Sequence, residues 1–106
     1  MTRFSQTLLT THDIVAVYKA LGDETRLEIV RRVADKKRLT PSCEIVSACP
    51  STIDMSQPTV SHHLAKLVAA GVLSEQKHST QKYYLVNTHV LQQAGIDYKQ
   101  LTRRKR

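Results

Sequence analysis

The sequence predicts a small, mainly helical domain that carries one β-hairpin, which places it in the α+β class. The chain has 106 residues, the length of a single domain. Apolar residues recur at helical spacing in four stretches, and most of these stretches begin at a capping residue or end at a glycine. Two short β-prone segments surround a polar turn late in the chain. These three observations predict helices, then a hairpin, then a closing helix.

The composition limits the classes of protein to which the chain can belong. Hydrophobic residues make up 41% of the sequence, but four Tyr, one Phe and no Trp give a modest aliphatic core, which favours dimerisation. A chain of this length excludes a multi-domain enzyme. It has no apolar run long enough to span a membrane and no apolar signal segment, so we expect a cytoplasmic protein without a membrane partner.

Most of the positive charge lies at one end of the chain. The formal net charge is +7, which suggests an anionic partner such as nucleic acid. The last eight residues contribute five of these charges, which leaves +2 for residues 1–98. We therefore divide the chain into a folded domain, residues 1–98, and a basic tail, residues 99–106. The tail can attract phosphates but cannot select a sequence.

The first half of the chain predicts two helices and a short segment for which two structures are possible. Thr11 is the expected N-cap of the first helix, which ends at Gly22, and Asp23 is the N-cap of the second. Pro41 and Pro50 flank a segment that is either a brief helix or an irregular turn. The apolar stripes of the two helices are Ile14, Val17, Tyr18 and Leu21, and Leu27, Val30, Val33 and Ala34.

The next helix has the clearest signals. It begins at Ser56 as N-cap, accepts Pro58 in its first turn and ends at Gly71. One side of this helix is apolar and predicted to be buried, and the other side is polar. The buried stripe is Val60, Leu64, Leu67 and Val68; the polar side carries Gln57, Thr59, Ser61, His62 and Lys66.

The remaining segments predict the hairpin and the last helix. Residues 72–77 and 82–86 read as two strands around the polar turn at residues 78–81. Thr88 is the expected N-cap of a final helix that runs past Tyr98, with Gly95 as a weak point inside it.

The predicted elements match a winged helix-turn-helix. In this arrangement a short helical segment and a tight connection precede a helix with a polar outer face, and a basic hairpin follows. A DNA major groove is about 12 Å wide and admits one α-helix, whose polar side chains can meet base edges. Cations on a hairpin can lie against the phosphate backbone. The predicted DNA-binding residues are Ser56, Gln57, Thr59, Ser61, His62 and Lys66 on the helix and Lys77, His78 and Lys82 on the hairpin.

Two blocks of this sequence resemble the ArsR/SmtB-type winged-helix repressors of bacteria and archaea. The blocks are residues 20–30, ALGDETRLEIV, and residues 56–64, SQPTVSHHL. Residues 70–73, AGVL, and 83–85, YYL, extend the resemblance, which covers residues 13–92. It implies a homodimeric, sequence-specific repressor that binds double-stranded DNA at an imperfect palindromic operator. It also implies release from DNA by a metal ion or an oxidant, although some members of this family have no small-molecule effector.

The resemblance also implies that the first and last helices form the dimer interface. The terminal helices carry apolar residues that a lone domain of this length would leave exposed. We predict that these residues form the interface; the alternative is that they complete a monomeric core. They are Leu8, Leu9, Val15, Val90, Leu91 and Tyr98.

The sequence leaves open whether the protein has a sensor site that binds a metal ion or reacts with an oxidant. Cys43 and Cys49 lie just before the polar helix, where arsenic sensors of this family place their cysteines. On an ideal helix these two thiols would point 120° apart and lie about 9 Å apart along the axis. Only an irregular segment would let them hold a soft metal or metalloid ion together or oxidise reversibly. The alternative is that one is buried packing and the other incidental, with no cofactor at all.

The residues give less support to a zinc site or to an enzyme active site. The Asp-x-His unit that zinc sensors of the family use is replaced here by Asn87-Thr-His89, which lacks the carboxylate. No Ser/His/Asp set or phosphate loop is present, so we do not expect an enzyme. The low charge of the folded domain keeps one rival hypothesis, a protein-interaction module on the same winged-helix scaffold.

Overall fold

The computed structural model describes residues 8–102, which form six helices and a three-stranded antiparallel sheet. In chain order the elements are α1 (Thr11–Leu21), α2 (Glu24–Lys36), β1 (Thr40–Pro41), α3 (Ser42–Ala48), α4 (Gln57–Ala69), β2 (Leu73–His78), β3 (Gln81–Val86), α5 (Thr88–Gln93) and α6 (Tyr98–Thr102). The mainly helical fold with a β-hairpin is the predicted one.

Side-chain caps start the first two helices. Asp23 caps α2, as predicted, by accepting a hydrogen bond from the Arg26 amide at 3.0 Å. In α1 the N-cap is Thr10 and not the expected Thr11. Thr10 accepts from the Asp13 amide, and its own amide donates to the Asp13 carboxylate, so the two residues form a capping box. Thr11 has no acidic residue at the position that would close such a box.

The segment after Pro41 is a helix, α3, which decides between the two alternatives for residues 42–49. It is preceded by β1, a two-residue strand that the sequence analysis did not predict. Thr40 pairs with Tyr84 and Pro41 with Tyr83, so β3 lies in the middle of the sheet, between β1 and β2. Proline lacks an amide hydrogen and is suited to such an edge position.

The hairpin formed by β2 and β3 projects as the wing. Its register pairs Leu73 with Val86 at the base and His78 with Gln81 at the tip. Ser79 and Thr80 form the two-residue turn, in which Ser79 has a φ of 62°. Two-residue hairpin turns need a positive φ of this kind, and here a serine supplies it.

Glycines in the left-handed region end both α4 and α5. At Gly71 (φ 85°) the next amide, that of Val72, donates to the Leu67 carbonyl at 3.0 Å. At Gly95 (φ 84°) the Ile96 amide donates to the Leu91 carbonyl at 2.8 Å in the same way. Both are Schellman motifs. The prediction of one continuous last helix from Thr88 past Tyr98 was therefore wrong, because Gly95 ends α5 and a separate α6 follows.

Helix α6 occupies the beginning of the predicted basic tail. It packs against α2, and the guanidinium of Arg31 donates to the Leu101 carbonyl at 2.9 Å. Residues 99–102 are thus helical and attached to the domain, whereas residues 103–106 lie outside the described residues.

The core lies between the helices and the inner face of the sheet. Ile29, Val30 and Val33 of α2 are at most 1% exposed, and Leu91 of α5 is 0% exposed. The expectation that Leu91 belongs to the dimer interface was therefore wrong, because its side chain is already buried in its own protomer. Helix α4 contributes Val60, Leu64 and Leu67 to this core, and Val68 is half-buried.

The turn between α3 and α4 is held by polar side chains. Thr52 is fully buried, and its hydroxyl lies 2.9 Å from the Val46 carbonyl and 3.0 Å from the Cys49 carbonyl. The amide and hydroxyl of Ser51 both donate to the Glu28 carboxylate on α2. These contacts connect the turn to the end of α3 and to α2, and so set where α4 begins.

We predict that Thr52→Val lowers the free energy of unfolding by about 1–3 kcal/mol, because the side chain keeps its shape but loses a buried hydrogen bond. Urea unfolding measures this as a lower midpoint with an unchanged m-value. Thr80→Val, at the exposed wing turn, is the matched control and should change stability by less than about 0.5 kcal/mol. Equal effects of the two variants would contradict the role given to Thr52.

Candidate nucleic-acid interface

The outer face of α4 is a row of exposed polar side chains. Gln57, Ser61, His62 and Lys66 are all exposed. Within residues 8–102 their side chains make no hydrogen bond or ion pair, so their donors and acceptors are available to a ligand. The face exists because the other side of the helix is buried in the core.

Two of the predicted DNA-binding residues have a structural task at the start of α4. The Ser56 hydroxyl accepts from the Thr59 amide at 3.3 Å, as an N-cap does, and lies 2.9 Å from the Thr59 hydroxyl. Both residues are exposed. Their hydroxyls are therefore oriented by the cap, which leaves the direct contacts to a ligand chiefly to the four residues named above.

The wing carries the three predicted basic and aromatic residues on exposed positions. Lys77 and Lys82 lie directly opposite each other in the hairpin register. The Lys82 ammonium is 3.7 Å from the Glu75 carboxylate, which offsets part of their mutual repulsion. At the tip, the ring of His78 packs edge-to-face on Tyr83 with the ring centroids 5.5 Å apart. Lys77 is the wing cation without an ion pair among the described residues.

Glu75 also connects the wing surface to the core. It accepts a hydrogen bond from the Tyr84 hydroxyl at 2.9 Å, and Tyr84 is 3% exposed. Burial, together with this carboxylate, raises the pKa of the Tyr84 hydroxyl far above its ordinary value, so it remains a donor. The base of the wing is thereby attached to the domain.

Arg26 connects α1, α2 and α4, a role that the sequence analysis missed. Its Nε donates to the Ala20 carbonyl at 2.7 Å, and its Nη1 lies 3.3 Å from Nδ1 of His63 on α4. A guanidinium can only donate, so Nδ1 accepts and a neutral His63 carries its proton on Nε2. The amide of the same residue holds the pKa of the Asp23 carboxyl below its usual value. The position of Arg26 within the first block, three residues after the N-cap, was the available signal.

The two cysteines lie in different environments and do not form a ready-made metal site. Cys43 is exposed, with its sulfur 3.9 Å from Nε2 of Gln81 on the wing, whereas Cys49 is fully buried at the end of α3. Burial raises the pKa of the Cys49 thiol to about 11. A soft ion needs thiolates that converge on one point. No group of three His, Cys, Asp or Glu side chains within residues 8–102 could hold a metal ion.

The alternative metal position near His89 is occupied by a protein contact. Nε2 of His89 lies 2.7 Å from the Gln93 side chain, one turn along α5. The N-cap position of this helix is Asn87 and not the expected Thr88, and Asn87 makes no side-chain cap hydrogen bond. Within residues 8–102, His89 belongs to no group of three His, Cys, Asp or Glu side chains that could hold a metal ion.

An exposed apolar face lies along the side of α1. Leu8 is 78% exposed and Val15 is 44% exposed, and Tyr18 exposes half of its surface. The Tyr18 hydroxyl donates to the Ala94 carbonyl at 2.5 Å, and the Leu9 amide donates to Gln93, so α1 lies beside α5. Among the other predicted interface residues, Leu9, Val90 and Tyr98 are half-buried.

Comparison with known proteins places this chain in a family. The model of the bacterial regulatory proteins of the arsR family matches residues 23–75, which include α2, α3 and α4. The arsenical resistance operon repressor of Escherichia coli is 34% identical over 76 residues, which are 72% of this chain and 61% of that protein. The cadmium resistance transcriptional regulatory protein CadC of Listeria innocua is 32% identical over 93 residues, 85% of this chain and 74% of that one.

A solved structure agrees on the fold. The homodimeric winged helix-turn-helix DNA-binding domain Mb0332 of Mycobacterium bovis superimposes with a TM-score of 0.63 at 24% identity, over 79% of this chain and 73% of that chain. Within residues 8–102 no helix has the length and apolarity to cross a membrane. The family match, the identities and the fold agree: the chain belongs to the arsR family of bacterial regulatory proteins, and it is a winged helix-turn-helix DNA-binding transcriptional regulator and not an enzyme.

Proposed function

We propose that this protein is a homodimeric, sequence-specific repressor that binds an imperfect palindromic operator in the cytoplasm. The observation that carries the proposal is the exposed face of α4, where four polar side chains have no hydrogen-bond or ion-pair partner among the described residues. The names of the related arsenical and cadmium resistance regulators support the assignment to transcriptional control.

Within this proposal, α4 enters the major groove and reads the bases. Gln57 can pair with an adenine edge through its amide, while Ser61 and His62 can donate to or accept from base edges. The wing places Lys77 and Lys82 beside the phosphate backbone, where cations gain affinity by releasing counterions. Residues 103–106 add charge that attracts any DNA alike.

We predict that Gln57→Ala and His62→Ala each reduce discrimination between the operator and unrelated DNA by about 1–3 kcal/mol for each good base contact. A band-shift titration with the DNA upstream of the protein's own gene, with unrelated DNA as competitor, measures this difference. Gln100→Ala, at an exposed position on α6, is the matched control and should leave discrimination unchanged.

Removal of residues 103–106 provides a contrasting variant. It should weaken binding to operator and unrelated DNA by the same factor and flatten the salt dependence. The absence of any discrete complex over competitor DNA would refute the proposed function and favour the protein-interaction module. A truncated protein that loses preference for one site would refute the division between the reading helix and the tail.

The dimer is proposed to form through α1 and α5. Val15 and Tyr18 on α1, and Leu8 just before it, expose more apolar surface than is favourable for an isolated domain. The homodimeric state of the Mycobacterium bovis domain, which shares the fold, supports this arrangement. Two reading helices related by two-fold symmetry then require an operator with two similar half-sites.

We predict that Val15→Glu converts the protein to a monomer of unchanged fold, because a carboxylate would be buried without a partner only in the dimer. Light scattering coupled to size-exclusion chromatography measures the mass, and circular dichroism checks the helices. Ile53→Glu is the matched control, since Ile53 is 60% exposed in the turn before α4. The proposal is wrong if the wild-type protein is a monomer or if both variants keep a dimeric mass.

Any thiol-based response must begin at Cys43. The exposed thiol of Cys43 is accessible, whereas the buried Cys49 thiol, with a pKa of about 11, is almost fully protonated at neutral pH. This leaves two hypotheses, a repressor that responds through Cys43 and a repressor without a small-molecule effector.

We predict that iodoacetamide labels Cys43 and spares Cys49 in the folded protein at pH 8, because burial raises the pKa of the Cys49 thiol and keeps it protonated. Raising the pH toward 11 should increase Cys49 labelling, because its thiolate forms as the pH approaches its raised pKa. Mass spectrometry with Cys43→Ser and Cys49→Ser as paired variants measures this. If the double Ser variant releases DNA with As(III), Cu(I) or peroxide as the parent does, thiol sensing is excluded.

A further inference from the structure

A cationic groove lies between α1, the first turn of α2 and the second half of α4. Its volume is about 300 Å³, and it is lined by Lys19, Arg26 and Lys66 together with four alanines of α1 and α4. The groove adjoins the reading face of α4, because Lys66 lies one helical turn after His62. The volume is at the lower end of the range of small-molecule pockets and ample for a phosphate group.

Two of the three cations that line this groove, Lys19 and Lys66, have no ion pair within residues 8–102. None of its lining residues is acidic. Within residues 8–102, the ammonium groups of Lys19 and Lys66 have no ion-pair or hydrogen-bond partner. The nearby Asp23 carboxylate caps α2 and offsets part of the charge of Arg26, whose guanidinium is oriented by the Ala20 carbonyl and His63. Three cations around one space repel each other, and a bound anion would offset this repulsion.

The alanines give an anion access to all three cations. Larger side chains at these positions would fill the space that lies between Lys19 on α1 and Lys66 on α4. The two lysine side chains are long and can approach the same ligand from opposite walls, while the Arg26 guanidinium is already fixed in orientation.

We propose that this groove binds a phosphate group, and that in the complex with DNA the group is a backbone phosphate beside the bases that α4 reads. This inference rests on the proposed function. The site would fix the register of α4 on the duplex without contributing sequence information, since contacts to phosphate position a protein and contacts to bases specify the sequence.

The test must distinguish phosphate binding by these lysines from a purely structural role in stabilising the ends of their helices. Lys19 and Lys66 lie in the last turns of α1 and α4, where a cation also stabilises the C-terminal end of a helix. If that is their only task, their removal lowers the melting temperature and leaves the salt dependence of DNA binding unchanged. Thermal unfolding is therefore measured alongside binding.

The experiment compares Lys19→Gln and Lys66→Gln with Lys37→Asn in the intact homodimer, by measuring the DNA affinity at several salt concentrations. Lys37 is an exposed lysine at the far end of α2 with a φ of 56°, a conformation that asparagine tolerates. Each groove variant should reduce the slope of log K against log salt by about 0.9 per lost contact, or about 1.8 for the two copies in a dimer. The affinities for operator and unrelated DNA should fall by the same factor, and the control should keep the wild-type slope.

A second arm distinguishes the source of the phosphate. DNA-free protein is titrated with inorganic phosphate, and the amide resonances of Ala16, Ala20, Ala69 and Ala70 are followed by NMR. Saturable shifts that Lys19→Gln abolishes identify a free phosphate as a ligand of the groove. A changed salt slope without such shifts identifies the DNA backbone as the source.

The proposal is overturned if the slopes of the groove variants equal that of Lys37→Asn and phosphate causes no saturable shift in the groove. Failure of the proposed function is a different result, because the wild-type protein would then form no specific complex. The salt slope on unrelated DNA and the phosphate titration would still test the groove in that case.

Discussion

Burial of the apolar stripe of α4 orients the polar outer face of that helix, which the proposed function assigns to base contacts. Val60, Leu64 and Leu67 are at most 4% exposed, and each buried methylene group contributes about 0.8 kcal/mol. A rotation of the helix by one residue would expose these side chains and bury Ser61 or Lys66 without a partner, which costs free energy twice. The exposure of the polar outer face is therefore a consequence of core packing.

Polar contacts then determine the exact position of α4, which the apolar core holds against the domain. Thr52 and the Ser51–Glu28 pair fix the turn before α4, and Arg26 joins the flank of α4 to the end of α1. Such contacts are directional, so they set where the helix begins and how it is inclined, which burial of apolar area alone does not specify. A reading helix must be positioned in this way before its side chains can meet particular base edges.

The cysteines show how far proximity along a sequence can mislead. Cys43 and Cys49 are neighbours in the chain, and the family places sensor thiols in this region. Helix α3 nevertheless holds one at the surface beside the wing and turns the other into the core. Their reactivity is decided by burial, which raises the pKa of one thiol and leaves the other accessible. The exposure of the candidate residues on α4 was easier to predict, because exposure on a helix follows directly from the period of the apolar residues.

The sequence by itself determined the features that are encoded within a few residues. Asp23 and Ser56 cap their helices, Gly71 ends α4, and the periodicity of α4 separates its buried and outer faces, because caps and stripes depend on neighbours three or four positions away. Only the tertiary structure decided the pairing of β1 with β3, the burial of Leu91 and the junction at Arg26. These features join segments that are distant in the chain, and their free energy appears only when the segments meet. Gly95 stands between the two cases. Its stop signal is local, but the sequence alone did not distinguish a glycine that ends α5 from a glycine inside a longer helix.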